Sequence, residues 1–102
     1  MRKLRILFDH VPAGILCEEE GRYIFEYLPD YQGPSISRTL PREKLRFEFQ
    51  EFPAFFDGLL PEGDNLEIFL KKTKIDRRDY FGQLLTMGQD LVGAITAEEW
   101  NE

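Results

Sequence analysis

The chain has little of what most chemical sites are built from. Its 102 residues include one cysteine, Cys17, and one histidine, His10. A single cysteine excludes an intrachain disulfide and points to a reducing compartment. Zinc and related metals recruit several His, Cys or carboxylate ligands, and neither a second His nor a second Cys exists. A Cys–His nucleophile has only one distant partner to draw on, so Cys17 reads as a small core or edge residue. His10, beside a turn proline, reads as an ordinary turn residue. No apolar run approaches a membrane span, and no charged-then-apolar leader opens the chain. A soluble, cytoplasmic protein is expected. Positive charge is scarce as well. Residues 1–50 balance eight basic against eight acidic side chains, but residues 51–102 carry five against eleven, and the net charge is −6. A phosphate-backbone binder needs a basic surface, so nucleic acid is not an expected partner. An acidic half suits a partner that offers a basic cleft.

What is present is enough for one core. Hydrophobic residues make up 42% of the chain and nine are Phe, which excludes disorder of the whole and suits a single domain over 1–102. Strands come first. In "KLRILFD" (3–9), Leu4, Ile6 and Phe8 alternate with Arg5, the period-2 pattern of a half-buried strand. "HVPAG" supplies turn residues, with Gly14 free to take a positive φ. "GILCE" reads as the returning strand, "EEEG" as a second turn, and "RYIFEYL" (22–28) places Tyr23, Phe25 and Tyr27 on one face. "LRFEF" (45–49) is a further strand. Helices follow. Phe52, Phe55, Phe56, Leu59 and Leu60 form one stripe, with Pro53 near the first turn and a sharp stop at Pro61. Asp64 and Glu67 look like a capping pair opening a helix to about Thr73 that buries Leu66, Phe69 and Leu70. Asp76 and Asp79 resemble another helix start, Tyr80, Phe81, Leu84 and Leu85 form its stripe, and Gly88 fits the position after its end. "LVGAIT" (91–96) reads as a short strand. The fold class is therefore α+β: an antiparallel meander in the first half, packed against about three short helices, with the final strand rejoining the sheet.

Other candidate sites resolve into ordinary structure. The carboxylates of "EEEGR" (18–22) alternate between faces of an extended backbone and do not converge on a cation. "LPEGDN" has one Gly and no Lys-Ser/Thr, so it is not a phosphate loop. Lys71, Lys72 and Lys74 complement the carbonyl end of a helix. No nucleophile, base and orienter can be assembled. The residues alone imply a non-enzymatic domain with no catalytic, cofactor or metal site.

Longer phrases say more. "FPAFFDGLLPEGDNLEIFLKK" followed by "DYFGQLLTMGQDLVGAIT" resembles the N-terminal domain of HipA-like toxin kinases. "VPAGIL", "YIFEYLPDY" and "SISRTLP" lie in the order seen there, the last less regular than the family's alternating Ser-Leu pattern. The resemblance covers about residues 3–97. Kinases of that family continue into a lobe with a nucleotide loop and catalytic aspartates, and neither a glycine-rich nucleotide loop nor a catalytic-loop pattern occurs here. A chain that opens on Met and ends just past the last matching strand is expected to be a free-standing version, similar to the HipS antitoxin of HipBST systems.

That resemblance implies an antitoxin that binds a HipT-like serine/threonine kinase in trans. The alternative is an assembly module linking the kinase to a DNA-binding HipB-like helix-turn-helix protein without inhibiting it. The candidate contact is the acidic turn between the first two helices, Glu62, Gly63, Asp64, Asn65 and Leu66. It lies in a window, residues 51–67, that contains Glu51, Asp57, Glu62, Asp64 and Glu67 and no basic residue.

Overall fold

The structure, a computed structural model, describes residues 1–91 and 93–100. The first strand, β1 (Arg2–Phe8), turns through Asp9 and His10 into β2 (Val11–Glu19). Both turn residues have positive φ, 53° and 69°, the backbone twist that matches a two-residue hairpin. The turn therefore shares only His10 with the "HVPAG" segment assigned to it from sequence, and Val11 to Gly14 belong to the strand. Gly14 has a different reason to be glycine: a Cβ there would lie 2.7 Å from the Glu26 carbonyl oxygen and from the Phe25 ring. The second turn is at Glu20 and Gly21, φ 49° and 77°, as "EEEG" indicates. It leads into β3 (Arg22–Tyr27), and β4 (Arg46–Phe49) follows after an ordered loop.

Three helices come next, α1 (Ala54–Asp57), α2 (Gly63–Thr73) and α3 (Tyr80–Met87), then a last strand, β5 (Ile95–Glu99). The sheet order is β4-β3-β2-β1-β5, antiparallel throughout, so the final strand rejoins the sheet beside the first. It does so later than residues 91–96: Gly93 has φ 102°, and extended pairing begins at Ile95 opposite Phe8. Of the expected strand, Val92 lies outside the described residues.

Period-2 alternation sets the two faces of the sheet. Leu4, Ile6, Leu16, Phe25, Tyr27, Phe47, Ile95 and Ala97 turn inward and are buried with Phe56, Leu60, Phe81 and Leu84 from the helical segment. The outward face is laced with ion pairs, Arg5 to Glu98 at 2.9 Å and Arg46 to Glu26 and Glu48 at 3.8 Å. Among the described residues, no helix is long and apolar enough to cross a membrane.

Cover over the inner face is uneven. Of the residues in the expected helical stripes, Phe56, Leu60, Phe81 and Leu84 are buried, whereas Phe52, Phe55, Leu59, Leu66, Phe69, Leu70 and Leu85 are only half-buried and Tyr80 is exposed. α1 is a single turn, too short to carry its whole stripe inward, and α2 has no fully buried residue. α3 does most of the covering. Its N-cap, Asp79, accepts a hydrogen bond from the Gly82 amide at 3.0 Å, and the helix packs on β5. Gly88 is αR rather than left-handed, φ −50°. It is glycine because a Cβ would collide with the Ala97 carbonyl oxygen.

Candidate functional site

The turn between α1 and α2 is built from short local bonds. Within and after α1, Asp57 N–H donates to the Pro53 carbonyl at 3.0 Å and Gly58 N–H to the Ala54 carbonyl at 3.0 Å. Leu59 and Leu60 N–H donate to the Phe56 and Asp57 carbonyls, each at 3.1 Å, which tightens the exit. Phe56 and Leu60 anchor this side in the core, at 0% and 7% exposure. α1 itself stops at Asp57, ahead of the stop expected at Pro61; Pro61, with no N–H to offer, ends the turn bonds that follow it, and Glu62 is extended at φ −130°. Gly63 takes φ 59° in open space, with no atom within 4 Å of where a Cβ would stand. It is the backbone conformation, and not crowding, that favours glycine there.

The five candidate contact residues stand together at this corner. Glu62, Gly63, Asp64 and Asn65 are exposed and Leu66 is half-buried. Among the described residues, no side-chain hydrogen bond or ion pair engages Glu62, Asp64 or Asn65. Two sequence readings are corrected. Asp64 does not cap α2: the N-cap is Glu62, without a side-chain cap bond, because Gly63 already occupies the first helical position. Asp64 sits in the first turn, where a carboxylate complements the helix dipole. Nor is Glu67 its capping partner. Its carboxylate reaches Arg77 at 2.6 Å, a hydrogen bond that holds the Glu67 pKa below its ordinary value. The acidic window thus acquires one cation from a distant part of the chain, and the uncompensated charges are Glu51, Asp57, Glu62 and Asp64. The corner is also packed on one side only, since α2 contributes no buried side chain.

Other polar groups hold the frame. Arg2 bridges Glu18 and Asp79, with 2.8 Å contacts to each, and so ties the first hairpin to the start of α3. Its proximity lowers the Asp79 pKa. The Arg2 partners were invisible to spacing, because their meeting depends on strand register. Cys17 is half-buried on β2, and desolvation raises its thiol pKa. His10 is the second residue of the hairpin turn. No group of three or more His, Cys, Asp or Glu that could hold a metal occurs among the described residues.

A long loop completes the surface. The Tyr27 hydroxyl donates to the Leu40 carbonyl and accepts from the Ile36 amide. Arg42 donates to the Tyr31 and Gly33 carbonyls at 2.6 Å each, and its guanidinium lies 5.2 Å from the Tyr31 ring centre.

This arrangement of strands, helices and corner is shared with known proteins. The profile of the HipA N-terminal domain matches residues 4–98. The chain belongs to the HipA N-terminal domain family. A solved structure titled N-terminal domain of HipA toxin superposes with a TM-score of 0.81 at 28% identity, over 100% of this chain and 95% of that one. An uncharacterized protein of Haemophilus influenzae is 34% identical over 86 residues, 84% of this chain and 81% of the relative. That relative is thus itself little longer than one HipA N-terminal domain.

Proposed function

We propose that this HipA N-terminal domain acts as a cytoplasmic antitoxin, binding a HipT-like serine/threonine kinase in trans and silencing it without catalysing a reaction itself. The observation that carries this reading is the match of the whole chain to a domain taken from a toxin: the solved HipA N-terminal domain is covered over 95% of its length. On this reading the chain keeps the surface with which such a domain meets the rest of its kinase. Supplied separately, it can occupy that place on a kinase that lacks it.

The candidate contact is the α1–α2 corner. Among the described residues, no side-chain hydrogen bond or ion pair holds Glu62, Asp64 or Asn65, so docking them breaks no such bond, and Leu66 adds a half-buried apolar side chain. A kinase cleft is lined by cations and metal to hold phosphate, and free carboxylates complement it. A HipB-like helix-turn-helix protein is a further component of the complex in this reading.

The deciding experiment is reconstitution with purified components. The chain is titrated into a HipT-like kinase with no third protein, and phosphorylation is followed together with complex formation by size-exclusion chromatography. Inhibition and a stable binary complex are expected. A complex without inhibition would replace the antitoxin reading with the assembly-module reading, and no complex would remove both.

A further inference from the structure

A groove of about 540 Å³ lies between the tip of the β1–β2 hairpin and the loop after β3. Its floor and walls include Phe8, Val11, Pro12, Leu28, Tyr31 and Pro34, and two carboxylates, Asp9 and Asp30, stand on the rim. That volume falls within the range of pockets that enclose a small molecule, enough room for a bulky side chain. No Lys or Arg lines it. Among the described residues, neither rim carboxylate has an ion pair or a side-chain hydrogen bond. Val11 keeps 53% of its surface in solvent although it sits in the groove, and Phe8 and Leu28 are only half-buried. That part of the apolar lining is not covered by the chain itself, whereas Tyr31 is a buried wall.

Both walls are fixed in advance. On the hairpin side, Asp9 N–H donates to the Ala94 carbonyl at 2.8 Å, and Leu28 N–H to the Ala13 carbonyl at 2.8 Å, which joins hairpin to loop. On the loop side, the Tyr31 ring stacks on Tyr27, with 6.0 Å between centres and 5° between planes. The Tyr31 hydroxyl donates to the Pro34 carbonyl at 2.7 Å. Arg42 also reaches this loop, donating to the Tyr31 and Gly33 carbonyls, but among the described residues it makes no ion pair with Asp9 or Asp30. A preordered apolar cup loses little entropy when it is filled.

We propose that this groove is a second docking site, for a partner-protein segment that presents an aromatic or large aliphatic side chain next to a Lys or Arg. The apolar side chain fills the cup over Val11 and Leu28, beside the buried Tyr31, and the cation is held between Asp9 and Asp30. Charge complementarity selects this occupant: an acidic segment would meet two free carboxylates, and a purely apolar one would leave them without a counter-charge. The site is separate from the α1–α2 corner and does not depend on the antitoxin reading.

The test is a nitrogen-15 NMR titration of the whole chain with acetyl-Phe-Arg-amide and, in parallel, acetyl-Phe-Glu-amide. Concentrations run to ~10 mM, since so small a probe binds in the millimolar range. With the arginine probe, the amides of Val11, Leu28, Gln32 and Gly33 are expected to shift, and the glutamate probe should bind about fivefold or more weakly. The double variant Asp9→Asn, Asp30→Asn should weaken the arginine probe by about tenfold, as should raised salt in part. Asn tolerates the left-handed backbone at position 9, so the variant should keep the parent spectrum elsewhere. Equal binding of the two probes, undiminished binding by the double variant, shifts at residues 61–66 instead, or no shift at all would each overturn the proposal.

Discussion

The Tyr27 hydroxyl joins two parts of one loop, donating to the Leu40 carbonyl and accepting from the Ile36 amide in a buried setting. Tyr27→Phe removes both bonds and leaves a buried N–H and C=O facing no partner. A loss of about 1–3 kcal/mol follows, read as a lower midpoint in urea unfolding with an unchanged slope. Asp79 combines two jobs, helix cap and ion-pair partner of Arg2. Asp79→Ala ends both and should cost about 1–2 kcal/mol. Asp79→Asn keeps a cap acceptor and loses only a partly exposed ion pair, worth under about 1 kcal/mol. Arg2 lowers the Asp79 pKa below the ordinary carboxylate value. The stability from a depressed carboxylate is complete above the unfolded-state pKa, near 4, and is lost as pH falls through the lower folded value. Melting temperature should therefore drop on acidification below about pH 4, and Arg2→Met should flatten that drop. An acid limb identical in the two proteins would show that the bridge contributes nothing to it.

At the scale of elements, a strand bulge explains why the bridge could not be foreseen. Phe8 pairs with Val11 and Leu7 with Pro12, but Ile6 pairs with Gly14, so Ala13 is the extra residue. An unbroken ladder from the same turn would have set Arg2 opposite Cys17, whereas the shifted one sets it opposite Glu18. Alternation was enough to find β1, β3 and β4 and their inward faces, because the pattern of Leu4, Ile6 and Phe8, of Tyr23, Phe25 and Tyr27, and of Phe47 and Phe49 is local. The stripe of α3 was legible for the same reason. The corner at residues 61–66 was legible as a turn from Pro61 and Gly63, but the bonding of its carboxylates was not. Glu67 finds Arg77 ten residues on, and the cap position went to Glu62 through the positive φ of Gly63. Gly88 does stand just after the end of α3, as its place in the sequence indicates, but what requires glycine there is the backbone of β5 pressed against it. Gly88→Ala should cost about 1–3 kcal/mol by overpacking, visible in thermal unfolding. A neutral outcome would mean that α3 can slide away from β5.

For the molecule as a whole, the proposed contact corner and the buried core are different surfaces, so stability and the proposed binding are separable by mutation. Phe56 is 0% exposed, and Phe56→Ala should cost about 3–5 kcal/mol, a large share of what a domain this small possesses. Glu62→Lys, on the exposed corner, should move stability by less than about 0.5 kcal/mol and yet weaken kinase inhibition, scored as lost growth rescue on co-expression. Leu66→Ala should behave alike with a somewhat larger stability cost. If both variants rescue growth like the parent, the corner is a connector only. The partial cover given by α2 has a further consequence. A helix with no buried side chain is held by few contacts, so its amides should exchange with solvent deuterium through local opening, well before the global unfolding that releases the sheet. When a partner closes over the corner, those same amides should become protected, and part of the interaction energy is absorbed in quieting a helix that the isolated domain leaves loosely tethered.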